Sequence, residues 1–180
     1  QYAYAYEDID EHFPKPMGKE LPVSIFFDSD HAHDKKTGRS ISGVIVMVGC
    51  TPISWKSRRQ GAIATSTYGA EFYAMKLATE EAITIRYMLR SLGLPVNNPC
   101  QMYGDSSSVI QNVTRPESPL KKKNLALCFH FVRENVATKT ITPVKLGSKD
   151  NFADLLTKPL PRGDFMSHVN GLLWSSPLHE

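Results

Sequence analysis

Cysteine is scarce in this 180-residue chain, and the three present, Cys50, Cys100 and Cys128, stand far apart with no C-x-x-C pair among them. A zinc ribbon and a dithiol redox motif are therefore excluded, and a reducing, intracellular compartment is the simpler setting. Long hydrophobic runs are also missing, since no stretch approaches the roughly 20 apolar residues a helix needs to span a bilayer. The opening residues, QYAYAYEDIDEHFPKPMGKE, have neither the cationic start nor the apolar stretch of a secretory signal. The chain reads as soluble, with no membrane partner, and the missing initiating Met fits a piece of something longer. Strong charge is lacking as well: a net charge of +3 and a pI near 8.7 permit a polyanionic partner without demanding one. No internal repeat or low-complexity tract occurs, and the length suits one domain with a sizeable core.

Residues 1–20 show neither helical nor strand period and read as a linker draped on the domain, which is expected to span 21–162 and to be followed by a C-terminal helix and tail over 163–180. Leu21 to Phe27 is apolar enough for a strand buried on both faces, with Asp28 where it stops. Gly43–Gly49 and Ile53–Lys56, joined through Cys50-Thr51-Pro52, read as an antiparallel pair that runs out into a basic loop, Ser57 to Gly61. A helix from about Tyr68 to Leu92 ends at Gly93 and Pro95. Along it Glu71, Met75, Ala78, Ala82, Ile85 and Leu89 form one stripe, so Glu71 lies on the core-facing side.

Cys100 to Gly104 is a short strand ending in Asp105, followed by a helix over Ser106 to Asn112. A helix burying Leu125, Cys128, Phe129, Val132 and Val136 comes next, then an edge strand from Thr140 to Leu146 containing Pro143. A helix capped by Asp150 or Ser148 should hold Phe152 to Leu156 and end at Pro159 and Pro161, with one more amphipathic helix from Gly163 to Trp174.

Four carboxylates, Asp28, Glu71, Asp105 and Asp154, thus occupy places where an apolar or capping residue is expected. Aspartates at the ends of neighbouring strands lie about 5 Å apart, where like charges repel strongly unless a cation lies between them. All-oxygen sites select magnesium or manganese, and two such ions about 3.5–4 Å apart support phosphodiester hydrolysis.

The ordered segments FFDSD, ISWKSRRQ, STYGAEFYAMKLA, MYGDSSSVI and NFADLLTKPLP resemble the ribonuclease H domain of copia-type LTR retrotransposon polyproteins, from about Val23 to Pro161. The resemblance implies an α/β ribonuclease H-like fold, a five-stranded mixed sheet flanked by helices. It also implies that Asp28, Glu71, Asp105 and Asp154 are the catalytic residues and the ligands of two Mg2+ ions, with Mn2+ an alternative. Asp28 would bridge both ions, Glu71 and Asp105 hold the one on the leaving side, and Asp154 help hold the one that presents the water. Glu71 would also meet the RNA 2'-hydroxyl, which distinguishes RNA from DNA. The implied activity is hydrolysis of the RNA strand of an RNA/DNA hybrid during reverse transcription, leaving a 3'-hydroxyl and a 5'-phosphate. The implied partners are the hybrid and the polymerase domain of the same reverse transcriptase, in a cytoplasmic particle or the nucleus. Two departures stand out: the mobile histidine that cellular ribonucleases H carry before the last aspartate has no counterpart in VKLGSKDNFAD, and His31 and His33 lie outside the family's motif.

Each acid taken singly has a plainer reading, as a turn, cap or helix-dipole residue; the four together in family order favour the metal site. Asp30, His31, His33 and Asp34 have the chemistry of a zinc site, or of a solvated loop beside the active site. Lys56, Arg58 and Arg59, and the run Lys121, Lys122 and Lys123, are candidate contacts to hybrid phosphates, which supply most of the affinity of nucleic-acid binding, or else solvated faces. His130 is expected to face solvent or the basic loop, and Trp55 and Trp174 to be core or interface anchors. The rivals to a ribonuclease are a catalytically silent connector of the same fold and a DNA-directed integrase- or resolvase-like nuclease.

Overall fold

The computed structural model describes residues 13–118 and 123–173. Five strands form one mixed sheet in the order β3-β2-β1-β4-β5: β1 (Val23–Asp34), β2 (Arg39–Val48), β3 (Thr51–Arg59), β4 (Cys100–Gly104) and β5 (Ile141–Lys145). β1 is antiparallel to β2 and parallel to β4, and β4 is parallel to β5. Pro143 accordingly sits on an edge strand, where a missing N–H breaks no ladder.

The alternation of β1 separates two cores. Val23, Ile25 and Phe27, with Val44 and Val46 of β2, pack against the long helix α1 (Thr67–Ser91) and residues of α2 (Ser107–Thr114) and α3 (Ala126–Ala137). Phe26, Ile45 and Met47 point to the opposite face, where Ala153, Phe152 and Leu156 of a 3-10 helix (Phe152–Leu156) and Leu172 of α4 (Arg162–Leu172) cover them. The stripe read along α1 holds: Glu71, Met75, Ala78, Ala82, Ile85 and Leu89 are all buried. Ser66 caps this helix by accepting a hydrogen bond from the Gly69 N–H at 3.2 Å.

Four local expectations are corrected. β1 does not stop at Asp28 but runs on to Asp34, because β2 keeps pairing with it there, Asp28 opposite Gly43 and Asp34 opposite Arg39. Ser57, Arg58 and Arg59 are not in a loop; they extend β3 opposite Gly43, Ser42 and Ile41, and an edge strand this exposed carries no alternation to reveal it. The segment before Pro159 is a 3-10 helix rather than an α-helix, and its cap is Asn151, whose side-chain oxygen accepts from the Ala153 N–H at 3.2 Å. Trp55 is 64% exposed on β3 and anchors no core.

The described part of the N-terminal segment does lie on the domain. The Met17 N–H donates to the Gly93 carbonyl at 2.8 Å, and the Glu20 carboxylate accepts from the backbone of Asn97 and Asn98, both at 2.7 Å. Residues 1–12, Lys121, Lys122 and Trp174 lie outside the described residues.

Gly43 is where the site-bearing 3-10 segment meets the sheet. A Cβ there would stand 2.8 Å from the Ala153 carbonyl oxygen and 2.8 Å from Thr157 Cγ2. Gly43→Ala is therefore expected to destabilise the fold by about 2 kcal/mol, in the range of overpacked core sites, read as a lowered midpoint in urea. An unchanged midpoint would show that the segment moves away without cost.

Candidate metal centre

β1 and β4 bring the first two acids together. Phe26 pairs with Tyr103 in parallel register, and Asp28 and Asp105 each follow two residues later, so both fall on the same side of the sheet where β4 ends. Glu71 arrives from the first turns of α1. One carboxylate oxygen from each of Asp28, Glu71 and Asp105 lies within 4.8 Å of the others, the only such grouping of potential ligands among the described residues.

Asp154 lies beside Asp28 and shares a cation with it. Lys158 Nζ donates to Asp154 Oδ1 at 3.1 Å and lies 3.1 Å from Asp28 Oδ2 and 3.3 Å from Asp28 Oδ1. The Thr157 hydroxyl also donates to Asp28 Oδ2. Asp28 itself is wholly buried. Asn151, equally buried, donates from Nδ2 to the Phe27 carbonyl at 2.9 Å and ties this segment to β1 just before Asp28.

The electrostatics follow from crowding acids in a poorly hydrated place. Burial, then the charges of Asp28 and Asp105, push the Glu71 carboxyl from its ordinary 4.5 up to about 8. Burial and the neighbouring Asp28 raise Asp154 to about 6, against the pull of Lys158. Burial works against the charge of Lys158, but Asp28 and Asp154 more than offset it and hold the ammonium above its usual range.

Lys158, Thr157 and Asn151 escape a reading of the sequence as site residues. The i, i+4 spacing of Asp154 and Lys158 signals an ion pair, yet only burial turns such a pair into part of a site. The zinc alternative does not assemble. His31 Nε2 lies 3.0 Å from the Ala64 carbonyl, His33 pairs with Asp30 at 2.6 Å, and Asp34 closes its own turn by accepting from Thr37 and the Lys36 N–H. Those hydrogen bonds, the Thr37 hydroxyl first, hold the Asp34 carboxyl below its ordinary value.

The basic candidates divide. Lys56 is bonded to Glu81 of α1 at 2.5 Å, and Arg59 to Asp34 at 3.2 Å. Arg58 and Lys123 are exposed, as is His130. Ser57 donates to the Leu156 carbonyl on the opposite face from Glu81, so strand alternation places Lys56 and Arg58 on the α1 face.

No family model matches the chain. It is 31% identical over 153 residues to the retrovirus-related Pol polyprotein from transposon RE1 of Arabidopsis thaliana, covering 85% of this chain and 10% of that protein. It is likewise 31% identical over 140 residues to the one from transposon TNT 1-94 of Nicotiana tabacum, covering 78% of this chain and 10% of that protein. The chain thus spans about a tenth of the length of these curated relatives. Among solved structures it is similar to the N-terminal RNase H domain of a Mycobacterium tuberculosis protein, with TM-score 0.59, 14% identity, and coverage of 84% of this chain and 98% of that one. A second is LC11-RNase H1, isolated from compost and solved with an RNA/DNA hybrid, with TM-score 0.59, 16% identity, and coverage of 75% and 93%. At such identities the likeness is one of fold.

Proposed function

The chain belongs with the retrovirus-related Pol polyproteins of transposons and has the ribonuclease H fold, and on that premise we propose that it is a metal-dependent endoribonuclease that hydrolyses the RNA strand of RNA/DNA hybrids. The observation that carries this reading is the convergence of Asp28, Glu71 and Asp105 within 4.8 Å. Asp154 is held beside them through Lys158.

The residues fit a hard divalent cation. Glu71 Oε2 is buried with no well-formed hydrogen bond, although the Ser29 hydroxyl and the Lys158 charge ease the carboxylate, and such an arrangement costs about 1–3 kcal/mol unless something positive faces it. The donor set is all oxygen, which suits Mg2+ or Mn2+ better than zinc. Asp28, Glu71 and Asp105 would hold one ion, and Asp28 with Asp154 a second. Bound there, such ions supply an activated water and neutralise charge on the phosphate.

The protein's own contribution is placement and exclusion of water. The sheet fixes Asp28 and Asp105, Thr157 orients the Asp28 carboxylate by hydrogen bonding, and the packed first turns of α1 bring Glu71 to the acidic cluster, where it would meet a 2'-hydroxyl of bound RNA. Arg58 and Lys123, both exposed, are free to contact phosphates, while Lys56 and Arg59 must exchange Glu81 and Asp34 to do so. The polymerase domain of the same polyprotein is the proposed partner that presents the hybrid.

With Mg2+ or Mn2+ the protein is expected to cut the RNA strand of a hybrid and to leave double-stranded DNA and single-stranded RNA intact, as read on denaturing gels. Equal cleavage of all three substrates would refute the assignment. Retention of full activity by Asp105→Asn would remove the metal argument.

A further inference from the structure

The two halves of the acidic centre are not equally free. Toward Glu71 and Asp105, a buried carboxylate oxygen, Glu71 Oε2, makes no well-formed hydrogen bond, and the Ser29 hydroxyl near the carboxylate carries no charge to match it. Toward Asp154 the charge is already matched: the Lys158 ammonium lies 3.1 Å from an oxygen of Asp28 and 3.1 Å from an oxygen of Asp154. Thr157 supplies a further donor to the same Asp28 oxygen.

We propose that the Lys158 ammonium holds the place between Asp28 and Asp154 where a second cation would bind, so that the resting protein takes up one divalent ion and admits another only when Lys158 withdraws. The inference rests on the metal-dependent reading given above. An ammonium and a divalent cation on the same pair of oxygens repel one another strongly in so poorly hydrated a place. An ion bound to oxygens at about 2.1 Å would need the lone pairs that Lys158 now uses.

The side chain has somewhere to go. Lys158 is 36% exposed although both of its carboxylate partners are buried, so its four-carbon stem can carry the ammonium into solvent. Its backbone need not follow. Thr157 is locked on Asp28, and Pro159 and Pro161 restrict the chain just beyond. Phosphates of a bound nucleic acid are anionic partners able to draw the ammonium outward, which would make admission of the second ion depend on substrate.

Calorimetric titration with Mn2+ in the absence of nucleic acid separates the possibilities. The wild type is expected to bind one ion, while Lys158→Ala binds two, the second at least about tenfold tighter than any second ion in the wild type. Lys158→Arg, which keeps the charge, should retain a single ion. If Lys158→Ala melts too low to titrate, Lys158→Gln, neutral and of similar length, is expected to show the same second ion. Two ions of similar affinity in the wild type, or one ion of unchanged affinity in both neutral variants, would overturn the role of Lys158 and leave the metal-dependent reading standing. Absence of any bound ion from the wild type and from the neutral variants would overturn both.

Discussion

Asp28→Asn is expected to reduce hybrid cleavage by about a thousandfold or more and to abolish Mn2+ binding, with the fold intact. Asp28 is the acid common to both halves of the centre: it joins Glu71 and Asp105 on one side and reaches Asp154 through Lys158 on the other. Bound metal supplies several kcal/mol of charge stabilisation. Forfeiting about 4 kcal/mol corresponds to three powers of ten in rate, at about 1.36 kcal/mol for each. Asparagine has nearly the same shape and still accepts from Thr157, so packing in the middle of β1 survives. Two electrostatic changes oppose each other in the metal-free state: Lys158 loses a partner, and Glu71 loses the stronger of its two repulsive neighbours. The melting temperature should therefore stay within a few degrees of wild type, which separates lost chemistry from lost structure. A variant retaining more than about a tenth of the activity would contradict the placement of Asp28 at the centre.

In the absence of divalent metal, stability is expected to fall as pH rises between about 5 and 8, the reverse of what salt-bridged or hydrogen-bonded carboxylates produce. The sign follows from Glu71, whose carboxyl stands at about 8 in the folded protein against an ordinary 4.5. Between those values the folded chain keeps a proton that the unfolded chain releases, so the slope of unfolding free energy against pH is negative. The advantage over alkaline solution is fully present below the unfolded value and is gone above the folded one. Each pH unit in between is worth at most about 1.4 kcal/mol. Asp154, raised to about 6, adds the same sign over the lower part of the window. A saturating divalent cation should abolish the trend, because it neutralises the cluster and releases the Glu71 proton. Metal affinity should consequently rise up to about tenfold per pH unit until it levels near 8. Thermal melts from pH 6 to 8.5 with and without Mg2+ test both halves. A metal-free melting temperature that stays flat or climbs over that range would show that Glu71 is ionised and the acids are not crowded as described.

The parts of the molecule readable in one dimension are those whose signal is local and periodic. The α1 stripe placed Glu71 on the buried side because a helix repeats every 3.6 residues whatever it packs on. The apolar runs of β1 and β2 announced strands, and Pro143 announced an edge. Where that signal is absent the sequence is misleading. Arg58 and Arg59 looked like loop because an exposed edge strand need not alternate, and Asp28 looked like a strand terminus although only its parallel neighbour ends there.

By itself, then, the chain determined which four acids break its hydrophobic pattern and the order in which they occur. Tertiary structure alone decided how they share space: Asp28, Glu71 and Asp105 converge in one cluster, and Asp154 stands beside Asp28 with an ammonium bridging the two. The physical reason is that hydrophobic periodicity is set by neighbours a few positions apart. The field inside the site is set by residues dozens of positions apart, and more than a hundred for Thr157 and Lys158 against Asp28, and no local pattern records that meeting.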